Sequence, residues 1–215
     1  MSSIAAAPTA SAQTRRVLAD VIARPSSRAR AFALDAGLVI AGAAVVALLA
    51  QVEIPLWPVP ITGQTLAVIV VGAALGAWRG AAALTTYMLA GLAGLPVFAG
   101  FTGTIAAVAK PSFGFVIGFI FAAFLAGWFA QRAWDRRPVL AFAGFAAASV
   151  VPFLFGIPYM AFILNVTLGL ELSFVEILQA GLFPFIIGGL VKAALAAAII
   201  PGAWALVRKA DASKG

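Results

Sequence analysis

The sequence predicts an all-α, polytopic membrane protein: a bundle of six transmembrane helices with both termini in the cytosol. Of its 215 residues, 64% are hydrophobic and 10% are charged, and the mean hydropathy is +1.10. Soluble domains carry about 25% charged residues. The apolar runs are long and continuous, which favours helices over the alternating segments of a β-barrel. The uneven distribution of basic residues between successive loops predicts the orientation.

Six apolar segments are bounded by turn residues and charges. The second and third are short for a bilayer core that needs about 20 residues, so we expect them to tilt or to end in non-helical stretches buried by protein. A tight turn is predicted between them at Arg79 and Gly80. The segments cover residues 32–51, 64–78, 81–95, 113–131, 138–164 and 182–207.

The predicted organisation is one transmembrane domain over residues 31–208, between a basic flexible cytosolic tail over 1–30 and a second cytosolic tail over 209–215. With the amino terminus inside, 12 of the 14 basic residues lie in cytosolic segments. This asymmetry satisfies the positive-inside rule. The cytosolic set is Arg15, Arg16, Arg24, Arg28, Arg30, Arg79, Arg132, Arg136, Arg137, Arg208, Lys209 and Lys214.

The connections on the outer side are more elaborate than the cytosolic turns. QVEIPLWPVPITGQT (51–65) contains three prolines, which predict an extended or polyproline-like strap. The connection over 94–114 is rich in glycine, and residues 165–181 are typical of a short amphipathic surface helix. Because binding residues concentrate on loops held by a rigid scaffold, we expect the protein to work at its outer face.

The charged and nucleophilic residues argue against an enzyme. The chain has no cysteine and no histidine, which removes thiol chemistry, the usual metal ligand and the usual general base. No HExxH motif, nucleophile elbow or phosphate-binding loop is present, so no cofactor or metal is expected. Active transport would therefore draw its energy from a partner or a gradient. The net charge of +7 is explained by loop position, so nucleic acid is not an expected partner.

Lys192 lies in the otherwise apolar stretch GGLVKAALAAAII (188–200). An ammonium at the centre of a membrane helix costs roughly 2.5–3.5 kcal/mol. If the sixth helix begins near Pro184, Lys192 lies about 12 Å from the outer end and about 22 Å from the inner end, beyond its ~6 Å reach. We predict that it faces a cavity open to the outside. The alternative is a helix that begins later, with Lys192 among outer headgroups.

Two further features have alternatives that the residues leave open. Lys110, the only basic residue in an outer loop, is a candidate ligand for an anion or an ordinary solvated charge. Ala43 and Ala47 have the small-xxx-small spacing that lets helices approach closely in lipid. They predict either a subunit interface, including a homo-oligomer, or internal packing.

Four sequence blocks resemble, in order and spacing, the signature blocks of the BioY family, the biotin-binding substrate-capture (S) subunits of energy-coupling factor (ECF) transporters. The resemblance covers about residues 32–207. The blocks are IPLWPVPITGQT, GAWRGAAALTTYMLAGLAGLPVFAG, KPSFGFVIGFIFAAFLAG and FPFIIGGLVKAALAA.

The resemblance implies a six-helix fold with a biotin pocket near the outer surface. The connections after the first and the third helix would act as lids. It also implies a multi-pass protein of the bacterial inner membrane, in contact with lipid. The partners would be a transmembrane coupling subunit and two ATPases. The alternatives are an S subunit for another small anionic vitamin, and a small channel or scaffold protein outside transport.

Biotin has a carboxylate tail, an apolar thioether ring and a ureido head with one acceptor and two donors. A pocket for it needs a cation, apolar walls and a few hydrogen-bonding side chains. The candidate cations are Lys192 and Lys110, the candidate walls are Phe98, Trp57 and Tyr87, and the candidate polar contacts are Gln64, Thr65 and Asn165.

Gly189 is a departure from the family's pattern, which usually has Asp three residues before the lysine. At i, i+3 the two side chains would share one helix face. This chain therefore lacks the carboxylate that would neutralise Lys192 or accept a ureido N–H. The alternatives are weaker biotin binding, a different ligand, or a substitute acceptor from a loop.

Overall fold

The computed structural model describes residues 16–22 and 27–213, and most of these residues are helical. The described residues form one short antiparallel hairpin, β1 (Glu53–Ile54) and β2 (Ile61–Thr62). Tight helical turns lie at Ile105–Ala109 and Trp134–Arg136, and a π-helical turn at Phe162–Thr167. The α-helices are α1 (Ala19–Ile22), α2 (Arg28–Ala50), α3 (Gln64–Leu75), α4 (Ala77–Leu92), α5 (Phe113–Ala130), α6 (Pro138–Ala161), α7 (Phe174–Gly181) and α8 (Phe183–Ala212).

The predicted helical, membrane-spanning character is confirmed. Among the described residues, four helical stretches are long and apolar enough to cross a membrane: Arg28–Ala50, Phe113–Ala130, Pro138–Thr167 and Phe174–Ala212. Helices α3 and α4 have 12 and 16 residues, or about 18 and 24 Å at 1.5 Å per residue. The second and third segments are thus short, as the sequence predicts.

The predicted turn at Arg79 and Gly80 is wrong, because the break between α3 and α4 lies at Gly76. Gly76 has a φ of 89°, a backbone conformation that L side chains rarely adopt. Arg79 instead lies in the first turn of α4. Gly80 is a packing residue, since a Cβ placed on it would lie 2.8 Å from the Gly72 Cα.

Helix α5 lies at the centre of the bundle, packed against α3, α4 and α6. Gly127 closely approaches the start of α4, where a Cβ on Gly127 would lie 2.3 Å from the Ala77 backbone nitrogen. Small residues at such crossings let two backbones meet without the cost of a displaced side chain. The positions of α3 and α4 therefore depend on the small residues of α5.

Salt bridges and a hydrogen bond made by arginines link several helices at one end of the bundle. The Arg79 guanidinium contacts Asp20 at 2.6 Å and Asp35 at 2.8 Å, which links α1, α2 and α4. In the turn between α5 and α6, Arg136 donates to the backbone carbonyl of Arg16 at 3.1 Å. We refer to this end as the arginine end.

Part of the predicted amino-terminal tail packs on this end. Val17 and Ala19 are buried against the bundle, and the first long helix begins at Arg28 rather than near residue 32. Helix α8 continues through residues 209–212 of the predicted second tail. Residues 1–15, 23–26 and 214–215, which include Arg15, Arg24 and Lys214, lie outside the described residues.

The structure places Ala43 and Ala47 in internal packing rather than on an outward face. Ala43 is buried in the main apolar core, and Ala47 packs against the same core. Within the chain the alternative of internal packing therefore applies, a close approach of α2 to α3 and α4. A subunit interface at the half-buried Ala47 stays a prediction.

Candidate binding pocket

A cavity of about 340 Å³ opens at the end of the bundle opposite the arginine end. This volume lies near the lower limit of the 300–1,000 Å³ of small-molecule sites. Its walls come from the hairpin, from the connection between α4 and α5, and from helices on both sides. The lining includes Glu53, Trp57, Thr62, Gln64, Thr65, Tyr87, Phe98, Thr102, Lys110, Phe113, Phe115, Phe119, Phe153, Phe185, Gly188, Gly189 and Lys192.

The strap over residues 51–65 forms one wall of the cavity. The sequence predicts an extended or polyproline-like strap, and the structure adds the pairing of β1 with β2, in which Glu53 opposes Thr62. Proline has no backbone N–H to donate to a strand ladder, so the pairing is confined to the two ends of the strap, which contain no proline. The hairpin holds Glu53 and Thr62 side by side at the cavity.

Gln51 fixes the connection between α4 and α5 over the cavity. Its side-chain Nε2 donates to the Phe98 carbonyl at 3.2 Å, and its Oε1 accepts from the Phe101 backbone N–H at 2.9 Å. One amide side chain thereby satisfies two backbone groups of a loop that has little regular structure. The strap over 51–65 is therefore joined directly to the connection between α4 and α5.

Phe98 is inserted beneath this loop as an aromatic wall. It is buried, and its ring meets Tyr87 edge-on with centroids 5.4 Å apart. Gly91 makes room for it, because a Cβ there would lie 2.2 Å from the ring. The two predicted wall residues therefore lie together, whereas Trp57, the third, lies at the rim with 70% of its surface exposed.

The polar groups of the cavity lie at the start of α3. The buried Gln64 donates from Nε2 to the Tyr87 hydroxyl at 2.5 Å and accepts at Oε1 from Thr62 at 3.1 Å. The Thr65 hydroxyl is buried and, within residues 16–22 and 27–213, has no hydrogen-bond partner. A buried hydroxyl of this kind costs free energy unless something bonds to it, so Thr65 offers a free polar group to a bound molecule.

The two candidate lysines both line the cavity. Helix α8 begins at Phe183, nine residues before Lys192, so the alternative of a later helix start is wrong. The half-buried Lys192 donates from Nζ to the Thr62 carbonyl at 2.6 Å. The exposed Lys110 donates to the Thr102 hydroxyl at 3.2 Å. Each cation therefore bonds to a neutral oxygen, and an anion between them would be a stronger acceptor.

Asn165 does not line the cavity. Its side-chain amide bonds to both the N–H and the carbonyl of Leu172, each at 2.8 Å, and so closes the loop before α7. Its predicted role as a polar contact is therefore replaced by a structural one. Gly189 does line the cavity, and no atom lies within 4 Å of a Cβ placed on it. The position where the family usually carries Asp is open space here.

Glu53, which is not among the predicted site residues, is the only acid in the described part of the chain that lines this cavity. Its one signal in the sequence is its place in the strap. A Cβ on Gly100 would lie 3.2 Å from its Oε1, so the carboxylate lies beside the connection that Gln51 holds. Two lysines and one glutamate leave the lining with a formal charge of +2 − 1 = +1. Such a lining is complementary to one negative charge.

Comparison with known proteins gives consistent results. The model of the BioY family matches residues 22–209. The biotin transporter BioY of Rhizobium etli is 37% identical over 172 residues, which is 77% of this chain and 86% of that protein. The biotin transporter BioY of Thermotoga maritima is 34% identical over 150 residues, 70% of this chain and 83% of that protein.

A solved structure shares the fold. The crystal structure of the S-component for biotin from an ECF-type ABC transporter superimposes with a TM-score of 0.60 at 23% identity. The match covers 82% of this chain and 93% of the other.

Proposed function

The chain belongs to the BioY family, and from this premise we propose that it is the biotin-binding membrane subunit of a vitamin uptake transporter. It is a transport protein and not an enzyme, in keeping with relatives that are named biotin transporters. The observation that carries the proposal is the cavity lined by two lysines, one glutamate and aromatic walls.

The cavity supplies a complement for each part of biotin. The carboxylate tail would neutralise the formal charge of +1 on the lining, which matters because an uncompensated charge in a dry site is costly. Phe98 and the phenylalanines of α5, α6 and α8 offer apolar surface to the thioether ring. The Thr65 hydroxyl is free to bond to the ureido head. Glu53 is a lining carboxylate that can accept a ureido N–H in place of the Asp that Gly189 replaces.

Retention of labelled biotin by the purified chain tests this function. We expect saturable, one-to-one binding that unlabelled biotin abolishes. A cationic vitamin should not compete, since the lining is already positive. If another small anionic vitamin binds and biotin does not, the proposal fails in favour of the S subunit of a different transporter. If neither binds, a channel or scaffold protein replaces it.

The proposed working complex contains a transmembrane coupling subunit and ATPases in the bacterial inner membrane. The sequence contains no Walker motif, so this chain requires an external source of energy to drive uptake. Biotin is then the transported ligand rather than a resident cofactor. Copurification of ATPase subunits with the tagged chain from its own host is the corresponding test.

We expect six segments to span the membrane, with both termini in the cytosol. The reason is the placement of 12 of 14 basic residues in segments on one side. A reporter that is active only in the cytosol should function when fused after Gly215, and one that requires the periplasm should not. Activity of the periplasmic reporter alone would contradict the orientation.

The strap over residues 51–65 should resist protease better with biotin than without it, because a ligand that binds the folded state opposes local opening. Chymotryptic cleavage after the exposed Leu56, at the bond before Trp57, reports on the strap. Tryptic cleavage after the exposed Arg132, at the arginine end, is the control and should not change. Identical cleavage at Leu56 with and without saturating biotin would count against a lid.

A further inference from the structure

A groove between α6 and α8 lies at the arginine end, away from the proposed biotin pocket, and has a volume of about 620 Å³. Its floor is formed by the small residues Ala194, Ala198 and Gly202, which recur every four residues along α8. Phe142 of α6 forms part of its apolar wall, and Arg136 and Arg208 lie at its margin. The groove thus combines an apolar trough with two cations.

Among the described residues, no acidic side chain forms an ion pair with Arg136 or Arg208. Asp135 attracts its neighbour Arg136 electrostatically, but it is fully buried and accepts a hydrogen bond from the Trp204 indole. Asp211, three residues after Arg208, is exposed and does not line the groove. The Arg136 guanidinium lies over the Trp204 ring, and its Nε has no hydrogen-bond partner within the described ranges. Over the described part of the chain, the lining of the groove therefore contains two cations and no acid.

The tryptophans indicate that this margin lies at the membrane surface. Three of the five tryptophans, Trp78, Trp128 and Trp134, lie at helix ends or in the turn of the arginine end. Tryptophan is enriched where a bilayer core meets its headgroups. Along α8, Arg208 lies 25 residues beyond the helix start at Phe183, or about 38 Å, which exceeds the ~30 Å bilayer core and reaches the headgroups.

We propose that this groove is a binding site for one anionic phospholipid. The lipid phosphate lies between Arg136 and Arg208, where a guanidinium can form two parallel hydrogen bonds to phosphate oxygens. One acyl chain lies along the trough over Ala198 and Gly202, against Phe142. Basic pockets between membrane helices are suited to anionic headgroups, and the bilayer itself supplies this ligand.

Native mass spectrometry of the full chain in detergent tests the proposal, with equimolar phosphatidylglycerol and phosphatidylcholine of identical acyl chains as probes. We expect the parent to retain one phosphatidylglycerol in preference to phosphatidylcholine. Arg136→Gln combined with Arg208→Gln should weaken retention of phosphatidylglycerol by about 30-fold. The matched control, Arg132→Gln with Lys209→Gln, removes the same charge from the same end outside the groove and should bind like the parent.

A second variant tests the trough without changing charge. No atom lies within 4 Å of a Cβ on Gly202, so Gly202→Leu fills the groove while the helix stays intact. It should also lose phosphatidylglycerol, whereas glycerol phosphate, which lacks acyl chains, should not displace the lipid from the parent. Equal losses of bound phosphatidylglycerol in the Arg136→Gln, Arg208→Gln variant and in its Arg132→Gln, Lys209→Gln control would overturn the site. Unchanged retention in every variant would also overturn it, leaving the groove to a helix of a partner subunit.

Discussion

Lys192→Met is expected to weaken biotin binding by about 10- to 150-fold, the loss of one charge-assisted hydrogen bond of roughly 1.5–3 kcal/mol. Lys192 is half-buried, and its Nζ bonds to the uncharged Thr62 carbonyl. A ligand carboxylate would be the stronger acceptor. Titration of purified parent and variant with labelled biotin measures the change. Methionine keeps the apolar length of the lysine stem, so the loss reports on charge rather than on packing.

Three controls isolate the role of Lys192. Lys192→Ala should show the same loss as Lys192→Met, and both should insert as well as the parent because they remove a buried charge. Biotin amidated at its carboxylate should bind the parent and Lys192→Met alike. Lys110→Met should cost less, about fivefold at most, because Lys110 is exposed. If Lys110→Met carries the loss and both Lys192 variants bind normally, Lys110 is the carboxylate partner.

Gly127→Ala is expected to lower the midpoint of thermal unfolding by roughly 2–12 °C. The added Cβ would lie 2.3 Å from the backbone of the α4 start, and backbone cannot move aside as a flexible side chain can. Overpacking of this kind costs typically 1–3 kcal/mol, and each kcal/mol corresponds to about 2–4 °C for a chain of 150–250 residues. Thermal unfolding in detergent, followed by circular dichroism, measures the shift.

Gly37→Ala is the matched control for this prediction. Gly37 lies exposed in the interior of α2, and no atom lies within 4 Å of a Cβ placed on it. The same substitution there should leave the midpoint unchanged or raise it, since alanine is the better helix former by about 1 kcal/mol. If both variants unfold at the parent temperature, the contact between α5 and α4 does not limit stability.

The helical membrane architecture could be predicted from the sequence because a membrane helix is a run of consecutive apolar residues. The predicted starts of the fourth and fifth segments coincide with α5 at Phe113 and α6 at Pro138. At both places a proline in the local sequence marks the start of the helix. Pro111 precedes α5 by two residues, and Pro138 occupies the first position of α6, where its missing N–H costs nothing. The sequence also identified Lys192 and Phe98, which both line the cavity.

The local sequence does not distinguish a structural from a functional or turn-forming role when one residue type can serve in either. Gly76 and Gly80 both have the properties of a turn residue, but Gly76 makes the turn and Gly80 packs against Gly72. Asn165 is polar and lies in an outer connection, yet its amide is fully used by the Leu172 backbone. In both cases the outcome depends on a neighbour that the sequence alone does not identify.

The sequence by itself predicted a membrane protein, the positions of its helical segments, and a lysine too far from either end of its helix to reach the membrane surface. These properties follow from composition and from distance along one helix. Only the tertiary structure decided what surrounds that lysine. Glu53 lies at the cavity because the register of β1 and β2 places it opposite Thr62. The Thr62 carbonyl in turn accepts a hydrogen bond from Lys192, which lies 130 residues further along the chain. Such a register is set by contacts between segments, so no local pattern could have revealed it.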